Sequence, residues 1–477
     1  MGKCFDDQDV RITATDPCDP PVCSVPVRAS KERVAGVPPA RAEDLRPSVR
    51  RRDAFDTRGQ DARGTTPCGV TTNGPGAAGQ PLAWFDQMIP NCLAYAKDAK
   101  ARGRRIVGIM CEYTPRELIM AAGAVPVCLC GGSAETIGPA EQHLPANLCP
   151  LIKSTYGYHV QKANPFLEMA DLIVAETTCD GKKKMFELMA ETRPMHVLEL
   201  PQKPDDADAM THWISELRKL KTRLEETFGV AITDDKLRQA IRTMNRERIL
   251  RRQLADLMKR NEPPLTGRQL LQFKSSISGL SADFAQYERA LKLYTGEGAA
   301  DASPRRASVP ARLKTSCGDA RPTKSEVRVL MTGVPLAHGA ERVIEIIESH
   351  GGLVLCMDNC TGLKPILDDV DETVADPIVA LAEKYFRLPC SVMTKNNRRL
   401  EILRDLARDY RAQCVIDLVW QACLTYDVES YFVKKLAEQD LGLPYLRIET
   451  DYSPGDSARI ALRVEALFET VRQRACT

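Results

Sequence analysis

Six cysteines in this chain stand where they could hold metal. Cys111 closes the run "RRIVGIMC", Cys149 lies in "LPANLCPLIKS", and Cys179 closes "DLIVAETTC". Farther on, Cys360 follows "LVLCMDN", Cys390 lies in "RLPCSVM", and Cys423 ends "IDLVWQAC". The steps are 38 and 30 residues in the first triplet and 30 and 33 in the second. A strand–helix unit takes about 30 residues, so the spacing repeats one level of successive units. Four of the six sit at or just past the end of an apolar run, the edge where open α/β sheets bind ligands. A lone thiol there is most simply a packed hydrophobe. Two matched triplets favour a shared chemical purpose. Cys356 and Cys414, inside "LVLCMD" and "AQCVID", read as core.

Zinc sites usually draw on cysteine pairs close in sequence. Cys128 and Cys130 are the closest pair, in "VCLCGG", and alternate residues of a strand face opposite ways. Thiolates scattered over many elements, in a chain with only six histidines, suit an iron–sulfur cluster better. Three cysteines per cubane would leave one iron of each without a thiolate, open to water, substrate or a bridging ligand. Lys182, Lys183 and Lys184 follow Cys179 at the start of a helix. Positive charge and a helix N-terminus both favour an anionic centre. A helix turns about 100° per residue, so at least two of the three lysines should face water.

Other residues could move protons. Glu112 and Tyr113 follow Cys111, and His338 lies in "PLAHGAERV". Glu112 and His338 are the candidate catalytic groups; Glu449 and Asp451 lie at a strand end and compete with helix capping. The glycine turn "MTGVPLAHGAE" lacks the spacing of a dinucleotide fingerprint.

Positioning these groups requires a particular order of elements. "RRIVGIMC", "VPVCLC", "DLIVAETTC" and "MHVLEL" read as strands alternating with helices, among them "TPRELIMAAG" with Thr114 as cap and Pro115 in the first turn. That alternation predicts a parallel sheet over residues 81–204. Residues 205–296 carry long charged helical patterns and no strand, so they form a helical insert. Residues 297–326 read as a polar linker. A second α/β lobe, flavodoxin-like, occupies 327–477, with strands "VRVLMTGVP", "LVLCMDN", "CVIDLVW" and "LPYLRIETDY". The fold class is thus α/β, two flavodoxin- or Rossmann-like lobes with parallel sheets plus a helical insert. Residues 1–80, rich in Pro, Gly and Arg, read as a disordered arm carrying Cys4, Cys18, Cys23 and Cys68.

Composition narrows the class. Lys plus Arg number 66 against 64 for Asp plus Glu, which argues against a general nucleic-acid binder. No apolar run reaches the roughly 18 residues that span a bilayer, and "MGKCFDDQDV" lacks the apolar core of a secretory signal. Seventeen cysteines then belong to a reducing compartment, the cytoplasm.

The stretches "GIMCEYTPRELIMAAGAVPVCLCGGSAETI", "LPANLCPLIKSTYGY", "ADLIVAETTCDGKKKMFELMAE", "DNCTGLKP", "VIDLVWQACLTYDVES" and "LRIETDYSPGD" occur in this order. Together they resemble the 2-hydroxyacyl-CoA dehydratase subunit superfamily over roughly residues 80–475, most of all its double-cubane cluster branch. That resemblance implies an [8Fe–9S] double cubane held by Cys111, Cys149, Cys179, Cys360, Cys390 and Cys423. By motif match, Cys111, Cys149 and Cys423 correspond to dehydratase-type ligands, and Cys179, Cys360 and Cys390 complete the set. Cys130 is the reserve ligand. It further implies a homodimeric oxidoreductase component that takes low-potential electrons from an ATP-hydrolysing [4Fe–4S] activator protein and reduces a small-molecule substrate. The alternatives are a 2-hydroxyacyl-CoA dehydratase subunit with one [4Fe–4S] cluster, and a non-catalytic electron carrier or zinc scaffold.

Overall fold

The computed structural model describes residues 81–296 and 326–475. The arm at 1–80 and all but the last residue of the linker at 297–326 lie outside the described residues, and with them Cys4, Cys18, Cys23, Cys68 and Cys317.

Helices α1 (Pro81–Asp86) and α2 (Met88–Ala101) lead into β1 (Ile106–Ile109), α3 (Arg116–Ala121), β2 (Val125–Cys128) and α4 (Ile137–Ala140). Next come α5 (Pro150–Gln161), α6 (Pro165–Met169), β3 (Leu172–Glu176), α7 (Asp180–Ala190) and β4 (Met195–Leu198). The strandless stretch supplies α8 (Ala209–Phe228), α9 (Asp234–Asp256), α10 (Gly267–Gln272) and α11 (Ser281–Thr295). The second lobe runs β5 (Val327–Gly333), α12 (Arg342–Ser349), β6 (Gly352–Asp358), α13 (Pro377–Phe386), α14 (Asn397–Asp409), β7 (Cys414–Trp420), α15 (Leu424–Lys435), β8 (Tyr445–Thr450) and α16 (Ser457–Ala475).

The strands form two four-stranded sheets, ordered β2-β1-β3-β4 and β6-β5-β7-β8, with every neighbouring pair parallel. This is the expected fold class, and the two lobes share one strand order. Helices cover both faces, so β3, β6 and β7 are buried along their whole length and read as continuous apolar runs rather than alternating ones. In such an order the chain reverses direction between β1 and β3, and again between β5 and β7. A crevice opens at each reversal, outside the carboxyl ends of those strands.

The helices of the insert are shared between the lobes. Trp213, Leu217, Leu220 and Leu224 of α8 pack with Val107, Ile109, Leu172 and Val174 of the first sheet and with Ile378, Leu381 and Tyr385 of α13. Leu254 of α9 and Phe284 and Tyr287 of α11 join a core with Leu330, Leu353 and Leu355 of the second sheet. Gly229 ends α8 at φ 65°, a left-handed turn that favours glycine. Thr233 caps α9, accepting from the backbone of Lys236, with Asp234 and Asp235 in the first turn. A buried polar tie joins the lobes: Arg248 of α9 and the Tyr385 hydroxyl of α13 (2.8 Å) both donate to Glu117 of α3.

One local expectation fails. Helix α3 starts at Arg116 with Pro115 at the cap position, and Thr114 caps nothing. Its hydroxyl donates instead to Glu176 at the end of β3. A cap would need the hydroxyl oxygen to accept from a first-turn N–H, whereas here the hydroxyl proton satisfies a buried carboxyl.

Candidate functional site

Both crevices open into one cavity of about 900 Å³, and all six singled-out cysteines line it. The loop after β1 brings Cys111, and the loop after β3 brings Thr177, Thr178 and Cys179. The loop after β5 supplies Val334 and Pro335, and that after β7 supplies Ala422 and Cys423. Cys360 lies two residues past β6, and Cys390 in the turn after α13. Leu148, Leu151, Ile152, Leu200 and Trp420 make apolar wall. The sequence reading of Cys356 and Cys414 as core agrees with their complete burial inside β6 and β7. Cys130 does not line the cavity; its thiol donates to the Met110 carbonyl at 3.3 Å.

Three of the sulfurs sit at helix starts. Cys149, Cys179 and Cys423 occupy the N-cap positions of α5, α7 and α15. First-turn backbone N–H groups of Leu151 and Ile152, of Lys182, and of Tyr426 favour the ionised form of those sulfurs without forming a full capping hydrogen bond. Helix N-termini carry partial positive charge, so three of them converge on the cavity. Ala422 takes a left-handed φ of 57° immediately before Cys423, a conformation that costs a non-glycine residue about 1 kcal/mol and turns the chain into α15.

Lys182 adds a full charge. Its ammonium donates to the Met110 carbonyl at 3.2 Å and lies among Cys111, Cys130, Cys179 and Glu176. Lys183, half-exposed at the cavity's edge, pairs with Asp180, and Lys184 pairs with Glu187 in solvent. The helical turn thus divides the lysine run as its period requires.

The cavity makes the thiols hard to ionise one at a time. Burial pushes Cys111 well up, Lys182 opposes it, and Glu176, Cys360 and Cys390 push further. Burial and neighbouring Cys390 drive Cys360 up to about 12, against the pull of Lys364. Cys149 and Cys423 titrate as a pair: the Cys423 thiol beside it and the first-turn N–H groups of α5 lower Cys149, while Cys149 and burial push Cys423 well up. The strongest thiol neighbours of Cys111 are Cys360 and Cys390; those of Cys423 are Cys149 and Cys179. Each neighbourhood mixes the two lobes. It differs from the motif grouping of Cys111 with Cys149 and Cys423.

This donor set fits a sulfur-ligated cluster. Metal binding removes protons from thiols, which relieves the crowding just described. Among the described residues, no three Cys, His, Asp or Glu side chains converge closely enough for a single metal ion. A lone tetrahedral ion with metal–sulfur bonds of about 2.3 Å would need them tightly bunched; thiols spread around a larger void would not meet on one.

The proton-carrying candidates lie elsewhere. Glu112 is buried but outside the cavity lining, 2.7 Å from Arg116 and 3.6 Å from Lys274. Burial alone would raise its carboxyl, yet Arg116, Lys274 and Arg251 hold it down at about 2. His338 stands on a turn before α12, its side chain 63% exposed and 3.7 Å from Glu341. Glu449 pairs with Arg447 at 2.8 Å, and Asp451 accepts from the backbone of Ser453 at 2.7 Å.

Sequence reasoning missed three groups. Glu176 is wholly buried at the end of β3; one carboxyl oxygen accepts from Thr114 and the other has no partner among the described residues. Burial pushes it up to about 7. A carboxylate inside the apolar run "DLIVAETTC" was the available signal. Lys364, buried, donates to the Tyr426 hydroxyl at 3.0 Å, and Tyr426 lines the cavity. Lys364 follows Cys360 by four residues as Lys182 follows Cys179 by three, and that parallel could have drawn attention to it.

Comparison with known proteins adds the family context. The family model "2-hydroxyglutaryl-CoA dehydratase, D-component" matches residues 111–471. An Escherichia coli (strain K12) chain, YjiM, provisionally named a dehydratase subunit, is 40% identical over 78% of this chain and 93% of its own length. The beta subunit of (R)-2-hydroxyglutaryl-CoA dehydratase from Acidaminococcus fermentans is 22% identical over 78% of this chain and 94% of its own length. A benzoyl-CoA reductase subunit from Thauera aromatica is 30% identical over 31% of this chain and 38% of its own length.

Proposed function

The chain belongs to the 2-hydroxyglutaryl-CoA dehydratase D-component family, and from that premise we propose that it is an iron–sulfur reductase component holding a double-cubane [8Fe–9S] cluster. The observation that carries this reading is the single cavity lined by Cys111, Cys149, Cys179, Cys360, Cys390 and Cys423. When bound, such a cluster would store low-potential electrons for the reduction of a small molecule. We propose that the electrons come from an ATP-hydrolysing [4Fe–4S] activator protein, that the chain works as a homodimer, and that it does so in a reducing cytoplasm. Among the described residues, no helix is long and apolar enough to cross a membrane.

The protein's own groups have definable tasks in this scheme. Three helix N-termini and Lys182 offset negative charge in a cavity where thiolates crowd. The apolar wall of Leu148, Leu151, Ile152 and Trp420 excludes water, which strengthens each of those interactions. Glu112 serves as the fixed counter-charge of Arg116 and Lys274 behind Cys111. His338 is left as a solvent-side proton source at the start of α12.

Anaerobic iron and acid-labile sulfide analysis, with electron paramagnetic resonance, tests the proposal. About eight irons per chain are expected; fewer than about four would sink it, and zinc without visible absorption would favour a scaffold. A second reading, an acyl-CoA dehydratase subunit with one [4Fe–4S] cluster, is favoured by the names of the relatives. Serine at Cys179, Cys360 and Cys390 separates the two. The double-cubane reading expects iron to fall by about half or more, the dehydratase reading expects no change.

A further inference from the structure

Tyr426 lines the cavity and is only 6% exposed. Its surroundings fix it from two sides. The Arg399 guanidinium lies 5.0 Å from the ring centroid, and Arg399 is itself held by Asp358 at 3.1 Å and by Glu429. The hydroxyl oxygen accepts from Lys364 at 3.0 Å, and that ammonium is 2% exposed. A phenol can accept and donate at once. Because an ammonium is donor only, Lys364 forces the oxygen to accept there, and the phenolic proton must point elsewhere. Among the described residues, no carbonyl or carboxylate takes that proton. The sulfurs that bear most strongly on the phenol are Cys390 and Cys360.

We propose that the Tyr426 hydroxyl donates a hydrogen bond to the sulfur-rich group held by Cys360 and Cys390, and that Lys364 is the positioning residue that keeps this proton turned into the cavity. The inference rests on the iron–sulfur reading above. A hydrogen bond to a cluster sulfur favours the reduced, more negative state and raises the reduction potential. Tyr426 is thereby a determinant of how strong a donor must be to charge the site. Lys364 orients that hydroxyl in addition to the direct pull of its charge on Cys360.

The test uses the full chain with its cluster, purified anaerobically. Y426F is expected to keep the wild-type iron and sulfide content but to move the midpoint potential more negative. After exchange into deuterium oxide, electron–nuclear double resonance should detect a coupled deuteron in the wild type that Y426F lacks. K364M should lower the potential in the same direction, K364R should restore most of it, and K364M should shift Y426F by less than it shifts the wild type, the remainder being its direct pull on Cys360. A loaded Y426F with unchanged potential and an unchanged deuteron overturns the inference alone, as does full additivity of the two substitutions. If K364M loses its iron, Y426F decides by itself. A wild-type chain that holds no cluster overturns this inference together with the function it rests on.

Discussion

Lys182 turns inward while Lys184 faces solvent, and that orientation can be weighed directly. Its ammonium sits among three thiols and a buried carboxyl, so K182M should leave the fold intact yet shift the loaded protein's midpoint potential more negative, with K184M as the unshifted control. Redox titration followed by visible absorption reads the difference. Glu176 gives a pH prediction. Its folded-state value, pushed up to about 7 from 4.5 by burial, means the folded chain holds a proton that the unfolded chain releases. Stability linked to this group is full below about pH 4.5 and is lost as pH rises to about 7, a loss of about 3 kcal/mol. E176Q should therefore stabilise the metal-free chain, by little at pH 5 and by most of that amount at pH 8, as read by urea unfolding. The six sulfurs were legible from spacing because each follows a repeating structural unit. Glu176, Lys364 and Tyr426 were not, because their importance comes from partners far along the chain: Thr114 meets Glu176, and Lys364 meets Tyr426, each across 62 residues.

Helix α5 shows how an element's seating fixes a ligand. Gly157 faces the Thr136 carbonyl so closely that an added Cβ would lie 1.8 Å from that oxygen. The atom in the way is backbone, so it cannot rotate aside. G157A should push α5 off its neighbour and drag Cys149 with it, costing roughly 1–3 kcal/mol and lowering iron content in proportion. The check is thermal unfolding beside iron analysis. Sequence reading found the strands and the long helices because their apolar periods are strong. It misplaced the start of α3: Thr114 before Pro115 has the chemistry of a cap, and nothing in the local pattern reveals the carboxylate of β3 that claims the hydroxyl.

Across the molecule, the lobes are joined by helices that belong to neither. Glu117 of α3, Arg248 of α9 and Tyr385 of α13 meet in the interior, and their chain positions give no hint that they should. R248M strips a buried carboxylate of its ion partner, leaving it the Tyr385 hydroxyl alone, which costs about 3–5 kcal/mol and should loosen both halves of the cavity together. A drop in denaturant midpoint accompanied by loss of bound iron would show that coupling; a drop with iron retained would show the tie to be merely local. The lobe architecture itself was readable in the strand–helix alternation. The grouping of the sulfurs was not. Motif match sets Cys111 and Cys149 with Cys423, whereas the thiols that act most on Cys111 are Cys360 and Cys390, and those that act most on Cys423 are Cys149 and Cys179.

That interleaving has a consequence for biosynthesis. A ribosome that has made only the first sheet has released three reactive sulfurs with no finished chamber to receive them. The last one, Cys423, emerges some 240 residues after Cys179. On the cluster reading proposed above, loading must wait until translation is nearly complete, and a stalled or truncated nascent chain would offer its thiols to oxidants instead of to iron.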